Sequence, residues 1–329
     1  MKIRTKKLPV EQALAIQPPP HKRPGKPFAP MGALIRLLSL PDLWATRFTF
    51  TEHRMDAVGD GPCLILMNHS SFLDLKIAFR IFWPRRPFGI VCTTDGLVGK
   101  KWLMKLIGCF PTQKFVTDLS LVMDILHMLR KNRTSVLMFP EAGYSFDGRA
   151  TVLPRHLGTL VKKLNVPVVT VITEGAFLRD PLYNGLQLRK TKVSAKVTCL
   201  LTSEEVKELP AEELDRRIDE AFVFDAFADQ YQKKIPIRET FRADGLNRIL
   251  YRCPSCGAEG HMEGKGTILS CGSCGKRYEM DAMQFPLQYV PTDRLSSRKA
   301  ISGVFSLQLQ HHGQSQMRDS WRMQHGLTT

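Results

Sequence analysis

Two groups of residues have the types and spacing to do chemistry. The first is His69 and Asp74, within Asn68-His69-Ser70-Ser71-Phe72-Leu73-Asp74. An imidazole titrates near neutrality, so it can take a proton from a hydroxyl if its other ring nitrogen is held by an acceptor. A nearby carboxylate is such an acceptor, and it also stabilises the imidazolium that forms. The second group is Cys253-Pro-Ser-Cys256 and Cys271-Gly-Ser-Cys274, two pairs separated by 14 residues. Two such knuckles make a near-tetrahedral thiolate site suited to Zn²⁺. Glycines at 257, 272 and 275 permit the tight turns, and Arg252, Lys276 and Arg277 offset thiolate charge. With all four positions taken by cysteine there is no open place for a reactive water. The zinc is therefore expected to be structural, and no catalytic metal is expected.

The histidine–aspartate pair needs help from the fold. Five residues apart, the two do not share one face of an ideal helix. They meet only if His69 stands outside the helix and folds back towards Asp74. Read without function, the same residues are a helix cap and a solvated acid, with Asn68, Ser70 or Ser71 as the capping side chain.

The elements that must position these groups follow from patterning. Apolar runs at 63–67, 88–92, 135–139 and 166–172 read as buried strands, and the alternation over 191–200 reads as a more exposed one. Helical spacing appears over 118–131, 152–164 and 211–230. Strands alternating with helices give a mixed, largely parallel sheet flanked by helices, an α/β fold with a small zinc ribbon appended. His69 follows the first of these buried strands, where open α/β folds place their chemistry. The apolar segment 31–50 carries Arg36, Trp44 and Arg47, and Pro41-Asp42 can end one short helix and start another. It suits either a packed helix or a membrane interface, packing being favoured.

Composition bounds the partners. The net charge is +16, with Lys2, Arg4, Lys6, Lys7, Lys22, Arg23 and Lys26 near the start, so something anionic is expected: a membrane surface, a phosphorylated substrate or nucleic acid. No run of 18 apolar residues is present, and the basic start leads to Gln17-Pro18-Pro19-Pro20 instead of an apolar stretch. Neither a membrane span nor a signal peptide is expected. The remaining cysteines, Cys63, Cys92, Cys109 and Cys199, are scattered and read as buried small hydrophobes.

Further segments carry a family resemblance. Gly108-Cys109-Phe110-Pro111-Thr112-Gln113-Lys114, Phe139-Pro140-Glu141-Ala142-Gly143 and Val166-Pro167-Val168-Val169 follow the histidine segment in order. Together these four segments resemble the sequence blocks of the glycerolipid acyltransferases, typified by 1-acylglycerol-3-phosphate acyltransferases, over roughly residues 30–230. The resemblance implies a glycerol-phosphate-acyltransferase-like fold and a reaction with no covalent acyl-enzyme. His69 would be the general base and Asp74 its orienting partner. An acyl group would pass from acyl-CoA or acyl carrier protein to the hydroxyl of a lysophosphatidic-acid-like acceptor. Glu141, Gly143, Lys114, Arg149 and Ser70 would line the substrate site. Lys114 stands where the family has an arginine. After Glu141 the family pattern is Gly-Thr-Arg-Ser, whereas this chain has Ala142, Gly143, Tyr144 and Ser145. Tyr144 thus replaces a family arginine, and Arg149 is the candidate to restore the charge.

The organisation expected is a flexible basic arm at 1–30, an acyltransferase domain at 31–245, a zinc ribbon at 246–282 and a weakly ordered tail at 283–329. The expected setting is the cytoplasm, peripheral on an anionic membrane face. Two other functions fit parts of the chain. The ribbon and the charge suit a nucleic-acid- or protein-binding module, although the ribbon lacks a basic reading helix and nucleic acid is not expected as partner. A thioester or ester hydrolase would use the same His69 site with water as acceptor.

Overall fold

The computed structural model describes residues 7–15, 21–97, 99–112, 118–282 and 286–288. The first seven strands form one sheet: β1 (Thr49–His53), β2 (Leu64–Met67), β3 (Phe88–Thr93), β4 (Cys109–Thr112), β5 (Ser135–Met138), β6 (Val168–Glu174) and β7 (Ser194–Leu201). Their order is β1-β7-β6-β2-β5-β3-β4. Only β6 and β7 pair antiparallel, so the sheet is mixed and largely parallel, as the alternating pattern implies.

Ten helices accompany them among the described residues: α1 (Val10–Leu14), α2 (Ala29–Ala45), α3 (Asp74–Phe82), α4 (Lys101–Ile107), α5 (Leu119–Leu126), α6 (Leu157–Leu164), α7 (Ala176–Arg179), α8 (Ser203–Glu208), α9 (Ala211–Ala221) and α10 (Ala226–Gln232). The sheet is covered on both faces because its central strands β2 and β5 are apolar on both. Along β2, Ile65 and Met67 join one buried cluster with Leu43, Ile77 and Phe82 of α2 and α3. Leu64 and Leu66 join the other, with Ile125, Val161 and Ile218 of α5, α6 and α9. The period-two alternation of side chains sends neighbours to opposite layers.

The strands and helices depart from the sequence reading in places with clear physical causes. β1 and β4 have no core-strand pattern because they are the edges of the sheet, and Pro111 is tolerated on such an edge. The helix expected over 211–230 breaks into α9 and α10, where Asp225 caps the second by accepting from the backbone of Phe227 and Ala228. The stretch 118–131 is α5 followed by a π-helical turn, His127–Lys131. The segment around Pro41 is one helix, α2, instead of two. Packing holds the helix together across the missing N–H: Ser39 and Leu43 are buried on either side of Pro41. Gly32 brings the same helix close to Trp83, where an added Cβ would lie 2.9 Å from the indole.

The stretch 21–28 lies along the body. His21 and Arg23 both reach Oδ1 of the buried Asp124, at 2.9 and 3.2 Å, and the Phe28 N–H donates to the Leu106 carbonyl. At the other end, β8 (Met262–Lys265), β9 (Ile268–Cys271), β10 (Arg277–Met280) and β11 (Pro286–Gln288) make a second, antiparallel sheet. It packs on the main body through a third buried cluster that includes Phe177, Tyr183, Leu246, Cys253 and Leu269. Apart from β11, the tail from 283 lies outside the described residues.

Candidate active site

The chain order of the sheet reverses at β2: the strand that follows it, β3, lies to one side beyond β5, and β6 lies to the other. Such a reversal leaves a crevice at the strands' C-terminal ends. His69 follows β2, Glu141 follows β5, and Thr173 and Asp180 lie at and beyond the end of β6. Three adjacent strands therefore deliver residues far apart in sequence to one place.

Asn68 fixes the floor. Its Oδ1 accepts from the N–H and hydroxyl of Thr173 at 2.8 and 3.0 Å, and its Nδ2 donates to the Thr173 carbonyl. This ties the end of β2 to β6. Neither Asn68 nor the serines cap the next helix with a side chain, because Leu73 occupies the cap position. Instead Asp74, the first residue of α3, reaches back. Its Oδ2 accepts from His69 Nδ1 at 3.0 Å and from the N–H groups of Ser70 and Ser71 at 2.8 and 3.0 Å. His69 thus stands outside the helix and folds back, the one arrangement in which a five-residue offset works.

The loop after β5 grips His69 from both sides of its backbone. Glu141 Oε2 accepts its N–H at 2.7 Å, and the Ser145 N–H donates to its carbonyl at 2.7 Å. Between these anchors the left-handed turn falls on Ala142, with φ of +54°, rather than on Gly143. Tyr144 then stacks on the imidazole with centroids 3.7 Å apart, and Phe139 stacks at 4.1 Å. Two near-parallel rings that close cannot share a face, so they sandwich the imidazole. Phe72, 56% exposed, meets the edge of Tyr144. The imidazole keeps 18% of its surface open while Asp74 is fully buried. Nε2 has no hydrogen-bond partner among the described residues, so it is the nitrogen available to a substrate.

The surroundings are acidic. Burial raises Glu141 to about 7, against the bond from the His69 backbone and with help from the charge of Asp74. Burial also raises Asp180 to about 6, offset in part by the Ser71 hydroxyl and Arg179. Burial, with the charges of Asp74 and Asp180, pushes the Tyr144 phenol above its usual range, so it stays neutral.

The other sequence candidates are dispersed. Ser70 is buried, with its hydroxyl 3.3 Å from that of Thr173, so it faces the floor and not the opening. Gly143 sits in the gripping loop with open space where a side chain would begin. Arg149 directs its Nε to Asp225 at 3.1 Å. Lys114 lies outside the described residues. Sequence reading missed Phe139 as a stacking partner and gave no role to Asp180. The aromatic at 139 beside Glu141 is visible in the sequence, but its stacking depends on a strand pairing that no local pattern carries.

The four cysteines do come together. Cys253 and Cys274 have their sulfurs 3.7 Å apart, Cys256 and Cys271 3.8 Å apart, and all four lie within 4.8 Å of one another. Four thiolates around one Zn²⁺ at about 2.3 Å would sit about 3.8 Å apart, so the donor set fits a tetrahedral metal. Sulfurs this far apart are not disulfide-bonded. Each knuckle repeats one turn, with the N–H of Gly257 on the Cys253 carbonyl and that of Gly275 on the Cys271 carbonyl. Those two glycines have φ of +73° and +71°, where a side chain would be strained. Burial works against the Cys253 thiolate, yet backbone N–H groups of the knuckle and the Tyr278 hydroxyl bring it down to about 6.

Residues 47–174 match the family model for acyltransferases. A chloroplastic 1-acyl-sn-glycerol-3-phosphate acyltransferase of Brassica napus is 27% identical over 149 aligned positions, 40% of this chain and 41% of that protein. The chain therefore spans well under half the length of the curated relative it matches. A solved structure, the 1-acyl-sn-glycerophosphate acyltransferase PlsC from Thermotoga maritima, superposes with a TM-score of 0.46 at 16% identity, over 58% of this chain and 76% of that one.

Proposed function

Starting from residues 47–174, which belong to the acyltransferase family, we propose that this chain moves a fatty acyl group from a thioester to a lipid hydroxyl. The observation that carries the proposal is the His69–Asp74 pair at 3.0 Å, with the imidazole clamped between two rings and only Nε2 available. Nε2 takes the proton of the acceptor hydroxyl as that oxygen attacks the thioester carbonyl. Asp74 holds Nδ1–H, which fixes the tautomer, and stabilises the imidazolium together with the two π faces. The imidazolium then returns its proton to the departing thiolate. No acyl-enzyme forms.

The donor is acyl-CoA or acyl carrier protein, and the acceptor is a lysophosphatidic-acid-like molecule in phospholipid synthesis. The relative from Brassica napus is named for that acceptor class. Glu141 and Gly143 shape the acceptor pocket, and Lys114 and Arg149 are the cations proposed for its phosphate. The four-cysteine module holds a structural Zn²⁺, which on binding locks the two knuckles together.

No helix among the described residues is long and apolar enough to cross a membrane. Contact with lipid is proposed through the outer face of α2, where Leu37, Leu38 and Trp44 are 62, 65 and 73% exposed and Arg36 is interspersed. The membrane face proposed is the cytoplasmic one.

The test is incubation of the purified chain with labelled acyl-CoA, with and without lysophosphatidic acid. Acyl transfer predicts a labelled diacyl product that requires the acceptor. Release of labelled free fatty acid at the same rate without acceptor would identify a hydrolase instead.

A further inference from the structure

The four-cysteine module and the His69 loop touch a common segment. α7 follows β6, and its Phe177 and Leu178 are buried in the same cluster as Cys253, Cys271 and Tyr278 of the ribbon. The Tyr183 carbonyl just beyond accepts from Arg248 at 3.1 Å, a further tie towards the ribbon. Between these anchors the chain turns its polar side the other way. Arg179 and Asp180 are 6% and 2% exposed. Asp180 Oδ1 accepts from the Ser71 hydroxyl at 2.5 Å, and the backbone N–H of Phe72 favours the charged carboxylate. The Ser71 hydroxyl in turn accepts the Leu73 N–H at 3.0 Å, which closes the turn. The Ser71 N–H donates to Asp74 Oδ2, the oxygen that faces His69. Arg179 secures the arrangement by reaching Asp180 at 3.5 Å and Asp42 of α2 at 2.8 Å.

We propose that Asp180 is a positioning residue for the His69–Asp74 pair, and that the metal-bound ribbon is the clamp that holds the 177–183 segment so that Asp180 reaches Ser71. Asp180 lies beyond the stretch 47–174 that matches the acyltransferase model. The physical requirement is simple. A turn of six residues, His69 to Asp74, carries both members of the pair, and its middle is fixed by one buried carboxylate from another element. Release of that carboxylate leaves Ser71 free to rotate and Asp74 with a looser set of donors. A misplacement of about 1 Å in such a pair costs roughly 100-fold in rate.

The kinetic half of the test rests on the acyl-transfer reading; the exchange half does not. In the zinc-loaded full chain, Asp180→Ala should lower kcat roughly 10–100-fold with KM for both substrates nearly unchanged. Asp180→Asn keeps an acceptor for Ser71 and should recover most of the loss. Independently, the zinc-loaded chain is compared with the same chain stripped by a chelator, and backbone hydrogen exchange is read by peptide. Faster exchange should appear in the ribbon, in 177–183 and in 70–73, with the central strand β5 unchanged. Acceleration confined to the ribbon would overturn the clamp, as would acceleration everywhere including β5. Equal damage from Asn and Ala, or unchanged kcat in Asp180→Ala, would overturn the positioning role. If the chain shows no acyl transfer at all, the exchange pattern still decides the clamp.

Discussion

The two candidate sites of this protein are built in opposite ways. The cysteine module is local: four cysteines within 22 residues, each pair set by its own glycine turn. The His69 site is assembled over long range: Glu141 is 72 residues from His69, and Asp180 is 109 from the Ser71 it holds. A local site tolerates the loss of its surroundings, but a long-range one depends on every strand that delivers a residue. The comparison teaches where each site is fragile. The ribbon fails when a ligand is lost, whereas the His69 loop fails when any of several distant supports is lost.

The largest effect should come from Asp74→Asn. The carboxamide retains the shape but cannot hold Nδ1–H with a charge, so kcat should fall on the order of 10³-fold or more. A loss under tenfold would mean that the imidazole is oriented by its two aromatic faces and not by Asp74. Next, Cys271→Ser should remove the metal: elemental analysis should find a single Zn²⁺ per wild-type chain and little in the variant, with a lower unfolding temperature. Full zinc content in the variant would break the four-thiolate assignment. A smaller effect is expected from Tyr144→Ala, which removes one face of the sandwich. At about 1 kcal/mol for such a stack, kcat should drop roughly fivefold, and Tyr144→Phe should restore it because the ring, not the hydroxyl, makes the contact. Failure of Phe to restore the rate would assign the work to the hydroxyl.

The smallest effect concerns pH. Glu141 goes from 4.5 to about 7 in the folded chain, and Asp180 from 3.8 to about 6. Both are acids whose folded form holds its proton more tightly. Their contribution is therefore fully present below the unfolded values and is lost as pH rises through the folded ones. Calorimetry should show the unfolding temperature declining between about pH 4 and pH 7 from these groups, with a shallower decline in Glu141→Gln. Identical slopes would show that Glu141 does not carry its share.

The contrast between the sites also explains what the sequence could reveal. The ribbon was legible because Cys-x2-Cys spacing is itself the geometry. The core strands β2, β3, β5 and β6 were legible because burial on both faces leaves an unbroken apolar run, while the edges β1 and β4 leave none. His69 and Asp74 were legible as types and as an ordered set of neighbouring segments, but not as a 3.0 Å pair, since that depends on Asp74 opening a helix and reaching backward. The partners that complete the site were hidden for the same reason. Tyr144 reads as a substitution in a loop, and its stack on His69 follows from Glu141 and Ser145 gripping the His69 backbone. Asp180 reads as an ordinary acid, and its role follows from the pairing of β6 beside β2. Arg149 shows the same limit: its type suits a phosphate, but its Nε contact with Asp225 is not visible in the sequence.

The central claim is that His69 accepts the proton of the attacking hydroxyl. It is tested most directly by steady-state acyl transfer from acyl-CoA to lysophosphatidic acid by wild type and His69→Ala, with matched unfolding curves to establish that both are folded. The expected result is a loss of roughly 10²–10⁴ in kcat for His69→Ala. Undiminished turnover by the folded variant would contradict the claim.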